Sequence, residues 1–231
     1  TVPPCTLEIT DAETFARDWT VIDVNSDVSA NTWAYNDGNA MYMQDKSNAA
    51  DDWLIAPAVT LEAGKAYKVS AYVKHSSTFG SDKQKIELKI GTAPTVEGLT
   101  TRLVYDESFQ SRLFVEKSGT FSPAESGVFY VGLRCYSESY NGDLYFQKIV
   151  IEEAPVYPAQ ITDLSIVAGE RGAMSATLSW TWPSSDHLGG ALSNLLGAKI
   201  YRGTDLVATL DTATVGGKAG WIDSSIETAG N

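Results

Sequence analysis

Aromatic and amide side chains stand close together in one polar stretch of this chain. Trp33 and Tyr35 are followed at once by Asn36 and Asp37, and Tyr140 lies in a second polar stretch. The C–H face of a sugar ring packs on an aromatic ring, while amide and carboxylate oxygens accept hydrogen bonds from its hydroxyl groups. The sequence therefore predicts a glycan-binding site at these five residues.

Two of these aromatic residues also have a structural interpretation. Trp33 and Tyr140 are equally well explained as core or lid residues of a β-domain, and the residue types leave both interpretations open. A third aromatic, Trp53, lies inside the apolar run Trp53–Ile55. We therefore expect Trp53 in the core.

Oxygen-bearing side chains stand at alternate positions in Asp23, Asn25 and Asp27. This spacing suits a hard cation such as Ca²⁺ bound in a loop. The glycine and the distal glutamate of an EF-hand are missing, so the pattern is not that motif. The sequence predicts a structural calcium site at these three residues, and the alternative is a polar turn rich in Asn and Asp.

Catalytic signatures are missing from the sequence. It contains no Gly-x-Ser-x-Gly, no His-Glu-x-x-His and no phosphate-binding glycine loop. The two histidines, His75 and His187, fall in different predicted domains, and we expect both at the surface. Asp51 and Asp52 are neighbours on a predicted strand and so point to opposite faces, which does not suit a catalytic carboxylate pair. We predict that the chain is not an enzyme.

The charge of the chain excludes some partners. Its 231 residues carry a net charge of −12, whereas nucleic acids and anionic membranes attract clustered Lys and Arg. No apolar run approaches the ~18 residues of a membrane span, so no membrane insertion is expected. The opening Thr1-Val-Pro-Pro4 is not a signal peptide. We expect either a cytosolic protein or a mature or excised piece of a larger one.

Strand signals fill the first part of the chain. The stretch Asp51–Lys74 predicts a strand, a turn and a second strand, in which apolar and polar residues alternate from Ala66 onward. Capping-box spacing predicts one short helix at Asp11–Arg17, and polar composition predicts a loop at Asn25–Asn39. Roughly nine or ten strands with almost no helix indicate an all-β sandwich or barrel.

The two cysteines have different settings. Cys135 falls on the apolar face of the predicted strand Val128–Tyr136, which favours a small buried hydrophobic residue. A disulfide with Cys5 is the alternative, if the N-terminus packs beside that strand.

A change of composition divides the chain. Residues 154–158, Ala-Pro-Val-Tyr-Pro, form a predicted linker between a domain at residues 1–153 and a second one at residues 159–231. The second domain shows its own strand pattern, including a predicted hairpin formed by Ala198–Arg202 and Leu206–Leu210.

Two motifs of the first domain resemble a known family. Trp19-Thr-Val-Ile-Asp23, followed after a polar loop by Asp52-Trp-Leu-Ile-Ala-Pro57, is similar to the cleaved-adhesin family, also called choice-of-anchor J. These jelly-roll modules occur in adhesin regions of gingipain-type proteins and in surface proteins of Bacteroides-like bacteria. Such modules often hold structural calcium through acids of the last strand. This chain has Gln147 and Lys148 where the family usually has two Asp residues, which departs from that pattern.

The second domain resembles a fibronectin type III module. Ile161–Leu164, Ala176–Trp180, Ala198–Arg202 and Trp221–Ser224 look like its strands A, B, C and E. A Tyr-rich strand F and a strand G would follow, but the sequence stops at Asn231. We therefore expect an incomplete sandwich, either because the chain is a fragment or because partner strands come from elsewhere.

Together these features predict an all-β chain: a jelly-roll β-sandwich followed by an incomplete Ig-like, fibronectin type III-like β-sandwich. The resemblance implies a non-catalytic adhesion module, extracellular or on a bacterial cell surface, that binds a glycan or a host or matrix protein. The alternatives are an accessory substrate-binding domain of a secreted protease or glycosidase whose catalytic domain lies outside this chain, and a purely structural stalk. We expect a monomer.

Overall fold

The computed structural model describes residues 1–27, 31–43, 47–76 and 82–226. The chain forms two compact units, Thr1–Pro155 and Val156–Asn231, and their boundary falls within the predicted linker. Within the described ranges, no helix is long and apolar enough to cross a membrane. The units are taken in turn below.

One helix, α1, runs from Ala12 to Asp18. Its N-cap is Asp11, whose Oδ1 accepts a hydrogen bond from the backbone N–H of Thr14 at 2.7 Å. The predicted helix therefore begins one residue too early, because the capping oxygen comes from Asp11 and not from the preceding Thr10.

The first unit is otherwise built from strands joined by turns. Their bounds are β1 Cys5–Glu8, β2 Thr20–Asp23, β3 Trp33–Asn36, β4 Asn39–Tyr42, β5 Asp52–Ile55, β6 Val59–Leu61, β7 Ala66–His75, β8 Gln84–Gly91, β9 Thr101–Phe109, β10 Val115–Phe121, β11 Gly127–Cys135 and β12 Leu144–Ala154.

These strands form two antiparallel sheets. Sheet I has the order β10-β7-β12-β4-β3, with β1 also paired to β12, and sheet II has the order β2-β5-β11-β8-β9, with β6 also paired to β11. The long strands β12 and β11 each pair with a long strand on one edge and with two short strands on the other. The nearly all-β sandwich predicted from the sequence is confirmed.

The inner faces of the two sheets form one hydrophobic core. On β7 the alternate residues from Tyr67 to Val73 are buried, as the period of two predicts. They pack with inward residues of β12 and sheet II, including Phe146, Ile149, Leu88 and Leu133. Because the strands of sheet I give one face to this core, its opposite face is left for solvent or a ligand, whereas β5 of sheet II is buried on both faces.

The predicted loop at Asn25–Asn39 is partly wrong. Its second half is a hairpin, in which Asn36 of β3 pairs with Asn39 of β4. The two turn residues, Asp37 and Gly38, have φ angles of 45° and 75°. Positive φ at both positions matches the right-handed twist of a two-residue hairpin, and Asp-Gly is a favoured sequence for it.

A buried polar cluster holds the connection between β11 and β12. Gln84 accepts a hydrogen bond from the Ser137 hydroxyl and donates one to the carbonyl of Gly142. The ring of His75 contacts the carbonyl oxygen of Asn141. His75 is only 1% exposed, so the expectation of a surface histidine is wrong: its polar ring is buried against backbone oxygen.

Both cysteines are free thiols. Cys135 is buried on β11 in sheet II, where its Sγ donates to Oε1 of Gln84 at 3.0 Å. Cys5 lies on β1 in sheet I, opposite Ile151 of β12. Burial raises the pKa of the Cys135 thiol to about 12, which suits an inert core residue rather than a reactive one.

The second unit has two small sheets. Their strands are β13 Ser165–Ala168, β14 Ala176–Thr181, β15 Ala198–Arg202, β16 Asp205–Leu210 and β17 Lys218–Asp223. One sheet has the order β13-β14-β17 and the other joins β15 to β16. A cleft of about 270 Å³ lies between them, lined mainly by apolar side chains such as Leu178, Ile200 and Trp221. The resemblance of this unit to a fibronectin type III module stays a prediction.

Asp52 introduces a carboxyl group into the core of the first unit. Its side chain is 0% exposed, and its Oδ2 accepts a hydrogen bond from the N–H of Asp51 at 3.2 Å. Burial raises the pKa of Asp52 to about 7, with a smaller contribution from the nearby carboxylates of Asp23 and Asp27. The folded state therefore favours the protonated form.

We predict that Asp52→Asn removes a pH-dependent loss of stability. The pKa of Asp52 is higher in the folded state, so the contribution of this group to the free energy of unfolding falls as the pH rises from about 4 to about 7, by up to about 4 kcal/mol. Urea unfolding of the whole chain across this range measures the effect. The free energy of unfolding of Asp52→Asn, relative to that of the wild type, should increase as the pH rises. The same change at exposed Asp37 is the control, and equal pH profiles for Asp52→Asn and wild type would contradict the prediction.

Candidate ligand-binding face

The structure places Trp33 in the core. Its side chain is 2% exposed and lies against Tyr42, with 5.9 Å between ring centroids. Its Nε1 donates to the backbone oxygen of Asp52 at 3.3 Å, which links sheet I to sheet II. A ring that stacks on a ligand must present a face to solvent, and Trp33 presents none. Its predicted ligand role is corrected to a structural one.

The other predicted ligand residues do not form one site. Asn36 and Asp37 are exposed at the β3–β4 turn. Tyr140 is 67% exposed, but it precedes Leu144, which pairs with Tyr42 at the far end of β4. A strand rises about 3.3 Å per residue, so roughly 10 Å of β4 separates the two ends.

Tyr35 completes the predicted set. It lies on the same hairpin as Asn36 and is partly buried, packed against the hydrophobic core. Its ring is therefore used mainly for packing, and the predicted cluster of aromatic and amide groups is not assembled around a common space.

The predicted calcium ligands are engaged with one another and with the backbone. Oδ1 of Asp23 accepts from the N–H of Ser26 at 2.7 Å. Nδ2 of Asn25 donates to the carbonyl of Ala49 at 2.6 Å and faces Oδ2 of Asp27 at 3.4 Å. Among the described residues, no group of three or more His, Cys, Asp and Glu side chains is placed to hold a metal ion. As arranged, these residues fit a polar turn and do not fit a calcium site.

Calcium should therefore leave the thermal stability of the chain unchanged. One oxygen of Asp23 and one of Asp27 accept hydrogen bonds, and Asn25 turns its amide nitrogen rather than its oxygen toward Asp27. The turn would therefore have to rearrange before it could hold a cation. Thermal unfolding in millimolar calcium and in EDTA tests this, with magnesium as the control. A higher unfolding temperature in calcium alone, lost in Asp23→Asn, would show that the turn rearranges around the ion.

The outer face of sheet I carries a four-residue cluster on its two central strands. Lys74 of β7 pairs with Tyr145 of β12, and Tyr72 pairs with Lys148. The Lys74 ammonium lies 4.6 Å from the ring centroid of Tyr145, and that of Lys148 lies 5.0 Å from the centroid of Tyr72. The four side chains are partly exposed. We call these residues the Tyr–Lys quartet.

A β-bulge puts Lys148 into the quartet. The register of β12 against β7 shifts between Phe146 and Lys148, which leaves Gln147 as an extra residue. Tyr145 and Lys148 are three positions apart and would point to opposite faces of a regular strand. With the bulge both point outward, while Phe146 and Ile149 are buried in the core.

Charge is distributed unevenly on this face. Lys68 forms an ion pair with Glu116, whose Oε1 also accepts from the Ser70 hydroxyl at 2.7 Å. In contrast, within the described parts of the chain, no carboxylate lies within ion-pair distance of Lys74 or Lys148. The quartet therefore presents two ammonium groups beside aromatic rings, neither of them in an ion pair with a described residue.

The outer face of sheet II contrasts with this arrangement. Ile22, Trp53, Arg134, Glu87 and Tyr105 form one row across its five strands. Trp53 in this row is buried, because it packs in a small second cluster with residues of the β8–β9 connection.

The charges of sheet II satisfy one another. Glu87 is 2% exposed and accepts from Nε of Arg102 at 2.6 Å. Arg134 lies 3.5 Å from Glu87 and binds both carboxylate oxygens of Asp51, at 2.7 and 2.9 Å. Asp51 thus points outward while Asp52 is buried, as predicted. Such an internally paired network leaves little charge for a ligand.

The quartet was missed at the sequence level. The alternation of β7 already assigns Tyr72 and Lys74 to its outer face, so these two residues were predictable from the sequence pattern. No sequence pattern indicated that Tyr145 and Lys148 of β12 lie on the same face. Without the bulge, Lys148 is assigned to the inner face of β12, and only the register of the folded sheet brings it beside Tyr72.

No protein-family model matches the chain, and no curated protein matches it. Solved structures with similar folds do exist. The K3 cleaved adhesin domain of Lys-gingipain from Porphyromonas gingivalis is matched over 63% of this chain and 97% of its own, at 12% identity and a TM-score of 0.46. The K1 cleaved adhesin domain of Lys-gingipain is matched over 65% and 99%, at 15% identity and a TM-score of 0.45.

A third similar structure holds the CBM22-1 and GH10 modules of Clostridium thermocellum endo-1,4-beta-D-xylanase 10B complexed with xylohexaose. The match covers 66% of this chain and 28% of that one, at 16% identity and a TM-score of 0.43. Cleaved adhesin domains, which the sequence resembles, are thus among the solved structures similar to this chain. At such identities and TM-scores, what this chain binds has to be inferred from its own side chains.

Proposed function

We propose that this chain is a non-catalytic binding module that holds a glycan on the outer face of sheet I. The Tyr–Lys quartet carries the proposal. It places two partly exposed aromatic rings and two hydrogen-bond donors side by side on adjacent strands. Sugar rings need both kinds of contact, an aromatic surface for their C–H groups and polar groups for their oxygens.

The spacing of the quartet suits a chain of sugars. Tyr72 and Tyr145 lie on neighbouring strands at diagonal positions, and diagonal neighbours in a sheet are about 7–8 Å apart. A linear glycan that crosses the two strands can contact both rings. Phe114 adds a third aromatic side chain beside Lys74, with 4.8 Å between the ammonium and its ring centroid.

The proposal includes an extracellular or bacterial cell-surface location, as the adhesin resemblance implies. It applies equally to a free adhesion module and to an accessory domain of a secreted protease or glycosidase, since both would use the same face. A host or matrix protein is the competing ligand. The partly exposed rings and their neighbouring ammonium groups favour the glycan, because they are separate small contacts rather than one broad apolar patch.

Binding should depend on the two tyrosines of the quartet. We predict that Tyr72→Ala and Tyr145→Ala each weaken the affinity for a bound glycan about tenfold, because each removes one stacking surface. The full chain is first screened on a glycan array, and the affinity of the strongest hit is then measured by titration calorimetry for the wild type and each variant.

Two variants serve as matched controls. Tyr105→Ala removes an exposed tyrosine from the outer face of sheet II, and Tyr140→Ala removes the exposed tyrosine of the β11–β12 connection. Both should leave the affinity unchanged. A loss confined to Tyr140→Ala would move the site to that loop. An array without hits, with a matrix protein bound instead, would reject glycan binding. Thermal unfolding of each variant confirms that it is folded.

A further inference from the structure

The two ammonium groups of the quartet determine what kind of glycan the face can hold. Lys74 and Lys148 lie against tyrosine rings and have no carboxylate partner among the described residues. The chain as a whole has a net charge of −12, so carboxylates outnumber cations. Lys68, on the same strand as Lys74, is in contrast paired with Glu116.

An aromatic ring does not neutralise an ammonium group. A cation–π contact at an exposed site contributes less than a hydrogen bond between charged groups. An anionic group of a ligand would therefore stabilise the charges of both lysines more than the tyrosine rings do. Each ammonium is within 5.0 Å of a ring centroid, so a ligand that accepts a hydrogen bond from it also contacts the ring.

Acidic residues around the quartet limit where ligand charge can lie. Glu8 of β1 is opposite Lys148 in the sheet, and Glu116 of β10 is opposite Tyr72. Asp143 lies close enough to Tyr145 to raise the pKa of its phenol, together with burial, which is the larger cause. Glu116 is already paired with Lys68, but Glu8 and Asp143 repel negative charge placed near them, which disfavours a densely sulfated chain.

We infer that the face binds an acidic glycan built from uronic acids, whose carboxylates are held by Lys74 and Lys148 while its sugar rings contact Tyr72 and Tyr145. This inference rests on the proposed function and adds the chemical class of the ligand. A uronic acid carries one carboxylate on each sugar ring, and the quartet offers one ammonium beside each tyrosine ring.

A pair of polymers that differ only in charge tests the inference. Polygalacturonate and its methyl ester have the same backbone, but the ester has no free carboxylates. The full chain should bind polygalacturonate at least about tenfold more tightly than the ester, and the difference should shrink as salt is added. Lys74→Gln and Lys148→Gln should each weaken binding of polygalacturonate about tenfold and weaken binding of the ester much less, because glutamine keeps a neutral N–H donor but carries no charge. Alginate is a second polyuronate probe. Affinity electrophoresis measures the binding of the wild type and each variant to every polymer.

Matched controls separate the inference from the proposed function. Lys199→Gln makes the same charge change at an exposed position of the second unit and should have no effect. Equal binding of polyuronates and neutral glycans, or preference for dextran sulfate, would overturn the inference and leave glycan binding intact. A folded chain that binds none of the neutral or acidic polymers, and gives no hit on the array, would reject both. If Lys74→Gln and Lys148→Gln lose polyuronate binding while Lys199→Gln keeps it, the result supports both the inference and the proposed function.

Discussion

The antiparallel pairing of β7 with β12 is the contact on which the first unit depends. These two long strands form the centre of sheet I, and each alternates between the core and the outer surface. A change in their register would move apolar side chains into water and polar ones into the core. The burial of residues such as Val73 and Phe146 therefore also fixes where Tyr72 and Tyr145 stand on the opposite face. The core thus positions the side chains of the proposed binding face.

Charged side chains are arranged differently on the outer faces of the two sheets. On sheet II, the buried Glu87 and the outward-pointing Asp51 are each paired with an arginine within hydrogen-bond distance. On sheet I, Lys74 and Lys148 are left beside tyrosine rings. Pairing them with acids would have added little stability, since exposed ion pairs contribute about 0–1 kcal/mol. Leaving them unpaired keeps their hydrogen-bonding capacity for something outside the chain.

Features with a local cause were predictable from the sequence. The two-residue period of Ala66–Lys74 identified β7 and its faces, and capping residues located α1 to within one residue. Features that depend on distant segments were not. His75 is buried because a loop folds over it, and its contact with Asn141 joins residues 66 positions apart. Trp33 resembled a ligand platform because its neighbours are polar, while its own side chain is held in the core by Asp52 of the other sheet.

The single extra residue at Gln147 also constrains how this surface can change over evolutionary time. If Gln147 stayed but β12 straightened into a regular strand, Lys148 would turn toward the core and Ile149 toward water, along with every later residue of β12 that alternates with them. Deleting Gln147 together with the bulge would instead restore the two-residue period and keep Tyr145 and Lys148 on the same face. Substitutions on the outer face can thus accumulate one by one, but the extra residue and the backbone irregularity must be gained or lost together.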